Sequence, residues 1–450
     1  MFIKYLYFIL ISINILVMLT DKKKSNFITI YFLSSLVYYL NSFFGEIYYK
    51  LNNTIFSYEI NEKTYHILCI NMLIILFFQL LPNFDFKKNK KLKHIDKSKK
   101  KLSMNHLIGE RATMNFVGLV MLIMGVYVII RYNLLSSTSF NKTAILENTT
   151  FIVTYYKNVS LFLFLYIFIN EKNKFSLITY ATTLFSVLVT FLLGHRSYVV
   201  IGILGISFNY IVKKLSKEKN LLAFLLKNKK VIILGLGLVL TVYSVKGIFN
   251  PLITGQYELV KERLSDPSFY LDSFRISESN SIFSYIDRIV SYDYRINQST
   301  YIIIPSYFIP FISRYLPSIT FGTLLQRDLF PNLRAGSLGS TYIGEAYANG
   351  GYFMVIAVII IVMILLKIIF SLYKNVNSNY LKTFLLLCGI EFSFYIHRNG
   401  LGTVILRIRV YLYIMILLLV LNFLFKAASK TIDNNYYFNK DISVKDLNSK

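Results

Sequence analysis

Eleven runs of mostly apolar residues, most of them near membrane-crossing length, dominate this chain: Phe2–Thr20, Phe27–Phe44, Tyr65–Leu81, Met114–Leu135, Phe151–Ile169, Phe175–Leu193, Tyr198–Val212, Val231–Ile248, Tyr352–Leu372, Leu381–Ile396 and Thr403–Phe425. A helix needs about 20 such residues to cross a bilayer. Backbone polar groups in lipid must be satisfied within the segment or within a closed barrel. The runs are continuous and do not alternate, so they predict helices and exclude a β-barrel. The predicted fold class is all-α, a polytopic integral membrane protein of about 11 transmembrane helices. The first run lacks a small-residue cleavage site and is expected to be retained. Charged residues make up 16%, against roughly a quarter in soluble proteins, which argues against a water-soluble enzyme. Cys69 and Cys388 both lie in apolar runs, ruling out a disulfide scaffold or a Cys-based metal site.

The net charge of +26 could point to nucleic acid or to a membrane, and its distribution decides for the membrane. Lys-rich loops mark the cytoplasmic side of a membrane protein. The connection Lys87–Lys101 (KKNKKLKHIDKSKKK) is the most basic segment. Counting spans from it also puts Asp21–Asn26, Asn170–Lys174, Lys213–Lys230 and the tail after Lys426 inside, each rich in Lys. The N-terminus is then outside and the C-terminus cytoplasmic. The domain plan is 1–248, a bundle of eight helices; 249–351, one large outer loop; 352–425, the last three helices; and 426–450, a cytoplasmic tail.

On this plan 29 of the 36 Lys lie inside, whereas 12 of the 13 Arg lie outside or in the outer part of a span. Lys inside is topogenic. Arg outside runs against the rule, and its planar five-donor group suits bidentate phosphate binding. The pattern argues for an anionic, phosphorylated ligand at the outer leaflet. The competing reading is that a loop of about a hundred residues escapes a rule that counts short loops. That reading leaves Arg196, Arg398, Arg407 and Arg409, at or within membrane ends, unexplained.

Within the large loop, Asn280–Tyr292 places Ile282, Phe283, Ile286, Ile289 and Val290 at helical spacing, with Asp287 and Arg288 on the polar face. It is predicted to be an amphipathic helix on the outer interface. Tyr301–Ile312, broken by Pro305 and Pro310, reads as re-entrant or interfacial. Arg314, Arg327, Asp328 and Arg334 then lead into a Gly- and Ser-rich stretch whose Gly336, Ser337, Gly339 and Ser340 can turn amides toward an anion. Glu345 follows at the membrane surface, where capping or pairing with Arg competes with a catalytic role. His195 and His397, beside Arg196 and Arg398, are the outer histidines best placed for proton transfer.

Three segments carry a family resemblance. Leu192–Val200 (LLGHRSYVV) ends one span in Gly-x-Arg and starts the next; Ile309–Pro317 (IPFISRYLP) is similar to a Pro-Arg-aromatic run; Gly339–Gly351 (GSTYIGEAYANGG) resembles a small-residue, Glu, Asn-aromatic-Gly entry to a helix. With the hydropathy plan, the chain resembles the O-antigen and capsular oligosaccharide repeat-unit polymerases of the Wzy type. Ser313 stands where that family often has Pro, and Gly350 where it usually has an aromatic residue.

The resemblance implies a GT-C-like glycosyltransferase in the bacterial cytoplasmic membrane, transferring a glycan from undecaprenyl diphosphate onto the next lipid-linked repeat unit. It implies no cofactor and no metal; the partners are lipid-linked oligosaccharides, the bilayer and a chain-length regulator, with no nucleic acid. Arg196, Arg314 and Glu345 are carried over from the matched motifs. Physical reasoning alone adds Arg288, Arg334 and Arg398; the catalytic set is then Glu345, Arg196 and Arg334, and the substrate-binding set is Arg288, Arg314, Arg398, His195 and Arg409. Outward guanidinium groups can stabilise a departing diphosphate, while Glu345, Asp287 and His195 are candidate bases for the acceptor hydroxyl. A lipid-linked oligosaccharide flippase and a ligase acting on finished glycan remain the alternatives.

Overall fold

The computed structural model describes residues 2–20, 26–51, 54–84, 98–132, 134, 151–170, 175–193, 195–215, 218, 221–229, 248, 255–266, 269, 278–297, 299–308, 320–331 and 341–447. In chain order the elements used below are α1 (Phe2–Thr20), α2 (Phe27–Tyr38), α3 (Asn41–Phe44), β1 (Glu46–Leu51), β2 (Thr54–Glu59), α4 (Glu62–Leu80), α5 (Ser98–Arg131), α6 (Phe151–Ile169), α7 (Leu177–Leu192), α8 (Arg196–Leu215), α9 (Leu221–Lys227), α10 (Tyr257–Ser265), α11 (Glu278–Ser291), α12 (Ile304–Phe308), α13 (Phe321–Leu329), α14 (Tyr342–Asn375), α15 (Asn379–Ser393) and α16 (Leu401–Leu447).

Among the described residues, seven helices are long and apolar enough to cross a bilayer: α1, α4, α6, α14, and the stretches Gly109–Arg131, Ser197–Leu215 and Leu401–Ala428 of α5, α8 and α16. This is the architecture of a multi-pass membrane protein. Their surfaces expose large apolar side chains such as Ile130 (74%) and Phe423 (70%), which suits lipid and not water. Three other expected spans are shorter helices. The run Phe27–Phe44 divides into α2 and α3, the latter closed by Gly45 at φ 78°. The runs Phe175–Leu193 and Leu381–Ile396 become α7 and α15, of 16 and 15 residues. Most of the expected span Val231–Ile248 lies outside the described residues.

Helix starts follow from the sequence. Asn26 and Thr29 make a reciprocal capping box on α2, the Asn61 side chain accepts from Lys63 N on α4, and Ser176 and Thr320 accept from the amides three residues on. Each such cap is worth about 1 kcal/mol. One element departs from the all-helical expectation: β1 and β2 form an antiparallel hairpin, with Ile47 opposite Tyr58 and Tyr49 opposite Phe56. The Ile-, Tyr- and Phe-rich segments on either side of Asn52-Asn53 were its signal.

The chain forms two compact units. Met1–Asp85, Ser207–Lys374 and Cys388–Arg409 make the first; Phe86–Ile206, Asn375–Leu387 and Val410–Lys450 the second. In the first, α1 packs along α4, and α11 packs on α4, α2 and β1. Helix α11 buries Ile282, Phe283, Ile286, Ile289 and Val290 as its periodicity predicts, contributing roughly 1.5–3 kcal/mol per side chain. Two expectations for it change. Protein, not a membrane interface, covers this apolar face, and Asp287 is buried with it while Arg288 stays exposed. In the second unit, α5 packs against α7, and α7 against α6.

Candidate functional site

The best-defined constellation lies in the first unit, where α14 begins. Tyr342 to Ala348 are all buried. Helical geometry then breaks at Gly350 and at Gly351, whose φ is 67°. A left-handed residue here favours glycine, and a Cβ on Gly351 would lie 2.7 Å from Arg295 Nη1. The two glycines thus end a short buried segment and leave room for a guanidinium.

Glu345 sits at the centre, 4% exposed. Its Oε1 accepts from the Thr300 hydroxyl at 2.8 Å, and its Oε2 accepts from the Leu401 amide at 2.8 Å. Leu401 opens α16, so a carboxylate from α14 satisfies an amide that has no partner within its own helix. Asn349, one turn on, donates to the Glu345 carbonyl and to Thr300 Oγ1, while its Oδ1 accepts from Thr300 N. Three segments far apart in sequence are therefore tied to one acid.

Residues 293–297 and 299–300 run beside this segment. Asp293 has φ 47° at the end of α11, and Tyr294 N reaches back to the Ile289 carbonyl, a left-handed helix termination. The Asp293 carboxylate accepts from Arg295 Nη2 at 2.7 Å and from the Tyr347 hydroxyl at 2.8 Å. Arg295 lies over the Tyr347 ring at 4.2 Å and donates to the Tyr347 carbonyl. The hydrogen bond from Tyr347 holds the Asp293 carboxyl below the ordinary range. Next to this lies a cleft of about 270 Å³, lined by Tyr294, Arg295, Asn297, Thr300, Arg327 and Asp328 among others. Arg327 Nε and Nη2 both donate to Asp328, lowering its carboxyl pKa, and Asp328 Oδ2 accepts from the Tyr294 hydroxyl at 2.6 Å. Arg295 and Asn349 carry this arrangement and were not singled out in the sequence. Arg295 belonged to no motif, and its role depends on the break at Gly351.

The other expected site residues are dispersed. Arg409 donates to the Tyr307 carbonyl at 2.8 Å, holding α12 against α16. Arg407, beside it in sequence, is buried in an ion pair with Glu391 at 2.9 Å and lies 3.9 Å over the Tyr395 ring. The two arginines face different ways, as their spacing predicts. Arg398 is half-buried near Tyr395, and Arg288 is exposed over Phe330. His195 belongs to the second unit, where it meets Tyr198 edge-on. Arg196 opens α8 there, and its side chain lies outside the described residues, as do Arg314, Arg334 and the stretch Gly336–Ser340.

Two candidate proton carriers are committed to structure. Asp287 Oδ1 accepts from the Thr64 hydroxyl at 2.7 Å and from Asn61 N at 3.0 Å, clasping the start of α4. Burial pushes its carboxyl upward, against those bonds. His397 is fully buried between the Tyr31 carbonyl, 3.2 Å from Nε2, and the Tyr39 hydroxyl, 3.1 Å from Nδ1. A carbonyl only accepts, so Nε2 carries the proton and Nδ1 accepts from Tyr39. Among the described residues, no three His, Cys, Asp or Glu side chains gather to hold a metal ion. Compared with protein-family models, with curated proteins and with solved structures, the chain matches none.

Proposed function

We propose that this chain is a membrane glycosyltransferase that polymerises oligosaccharide repeat units carried on undecaprenyl diphosphate, at the outer face of the bacterial cytoplasmic membrane. The observation that carries the reading is the buried Glu345–Thr300–Asn349 network, built from the segment that resembles the polymerase motif and set beside a polar cleft. In this reading the chain crosses the membrane 11 times with its N-terminus outside, and 249–351 is the outer loop that carries Glu345, Thr300 and the cleft.

The chemistry is a substitution at an anomeric carbon. The acceptor hydroxyl forms the new C–O bond as the bond to diphosphate breaks, and the electron pair leaves with undecaprenyl diphosphate. The acceptor proton passes to a base, for which Glu345 is the candidate. Each oxygen of Glu345 accepts one protein hydrogen bond, which leaves it further acceptor capacity. Arg334, with Arg314 and Arg398, is assigned to the departing diphosphate, where cationic donors act most strongly as charge develops; Arg196 is a candidate through the motif resemblance alone.

The test is complementation of cells lacking the native gene, with glycan resolved by length. Arg196→Ala, Arg334→Ala and Glu345→Gln are expected to leave protein in the membrane and yield single repeat units only. Normal long chains in all three variants would overturn the reading. Cysteines placed at Ser197 and Ser337 should react with an impermeant reagent from outside; protection of both would invert the topology. Products joined to a different acceptor would identify a ligase.

A further inference from the structure

The arginines of the large loop are expected, from sequence, to grip phosphate. In the cleft they are otherwise engaged. Arg327 pairs with Asp328, and Arg295 with Asp293. Asp328 in the cleft wall and Asp293 just outside it each neutralise one of the two guanidinium groups, so the cleft offers polarity without a strong positive field. A diphosphate entering it would meet the Asp328 carboxylate, and like charges at close range are costly.

We propose that this cleft binds an uncharged, hydroxyl-rich sugar ring, that of the acceptor, and not the diphosphate of the donor. The proposal rests on the glycosyltransferase reading above and names the ligand of one part of that site. Arg327 and Asp328 present donors and acceptors in planar groups, and the Asn297 amide supplies both kinds. Such pairs suit neighbouring hydroxyls on a ring. Ile296, Ile303 and Leu324 supply apolar wall for the C–H face of the sugar. At about 270 Å³ the space lies below the roughly 300–1,000 Å³ of drug-sized ligand pockets, which fits one ring rather than a chain.

Thr300 connects this cleft to the acid. It lines the cleft and donates to Glu345 Oε1. A sugar hydroxyl seated on Thr300 Oγ1 can pass its proton to that oxygen as the threonine proton moves to Glu345. The sugar oxygen gains the bond to the donor carbon, and the diphosphate leaves with the electron pair of the broken bond. Asn349, which donates to Thr300 Oγ1 at 3.1 Å, positions the hydroxyl for that exchange.

The experiment uses the full chain in lipid nanodiscs and two probes: a panel of neutral methyl glycosides, followed by saturation-transfer NMR, and inorganic pyrophosphate, followed by phosphorus line broadening. At least one glycoside should receive saturation, and Asp328→Ala should weaken its binding roughly tenfold or more. Pyrophosphate broadening should not change with Arg327→Ala. Where Asp328→Ala fails to give monodisperse protein, Asn297→Ala serves as the second variant, since Asn297 is exposed. No saturation from any glycoside, or pyrophosphate binding that depends on Arg327, overturns the proposal. Glycoside binding that needs Asp328, in a protein whose Arg196→Ala and Arg334→Ala variants still make long glycan, would retain the cleft assignment and overturn the polymerase reading. Absent glycoside binding with glycan length lost in those variants would do the reverse.

Discussion

The two units handle buried polarity by different means. Among the described residues, the first buries Asp287, Glu345, Lys367, Glu391, His397 and Arg407. The second buries Glu110 and otherwise uncharged groups, chiefly hydroxyls and amides. On α7, Thr182, Ser186 and Thr190 each donate to a carbonyl one turn back, satisfying themselves within their own helix. Small residues let neighbours approach: a Cβ on Gly118 would lie 2.7 Å from Thr182 Oγ1, and one on Gly125 would lie 2.6 Å from the Tyr156 hydroxyl. Close approach at small residues is how helices pack in lipid. The first unit instead joins segments distant in sequence through charged groups, which are costly to bury and mark functional regions in membrane proteins.

That contrast can be broken, beginning where the effect should be largest. Arg407→Ala strands Glu391, and removing one partner of a buried pair costs about 3–5 kcal/mol. Thermal unfolding in detergent should fall steeply, with partial recovery when Glu391→Gln is added. An unchanged transition would mean that the pair contributes nothing. Lys367 comes next. Its ammonium donates to the Leu81 and Pro82 carbonyls at the end of α4, where a cation also meets the helix dipole. Lys367→Met should cost about 2 kcal/mol, seen as faster hydrogen exchange at the C-terminal end of α4.

Asp287 gives an effect of similar size to that of Lys367, with a pH signature. Burial raises its carboxyl pKa, so the folded state holds the proton more tightly than the unfolded one. Stability from this group is present at low pH and is lost as pH rises through the raised pKa. Wild-type protein should therefore gain stability when the pH falls from 7 toward that value, whereas Asp287→Asn, which keeps an acceptor for Thr64 and Asn61, should show a flatter profile. Asp287→Ala removes both bonds and should cost about 2 kcal/mol at pH 7. In the second unit, Ser186→Ala deletes one bond within a helix and should cost under about 1 kcal/mol. A loss as large as that of Arg407→Ala would erase the distinction between the units.

Much of the helical plan was legible because hydropathy acts over about 20 neighbouring residues. Runs such as Phe2–Thr20 and Phe151–Ile169 became helices with the same bounds. The apolar face of α11 was legible for a related reason, since a period of 3.6 places its five buried residues together. Its polar side was less so: Asp287 and Arg288 are adjacent, and only the packing of Asn61 and Thr64 decided that the first is buried. Glu345 was legible as a residue of interest through its motif. That its partners are Thr300 and Leu401 was not, for they lie 45 and 56 positions away.

By itself, the sequence determined that this chain forms apolar helices suited to a bilayer, because each transfer of a side chain out of water is a local and additive preference. The tertiary structure decided which charges meet. It turned Arg407 toward Glu391, set Arg409 on a carbonyl, placed Arg295 against Gly351 and gave Glu345 the first amide of α16. A buried charge is stable only beside a partner of matching geometry, and that partner is chosen by the path of the whole chain.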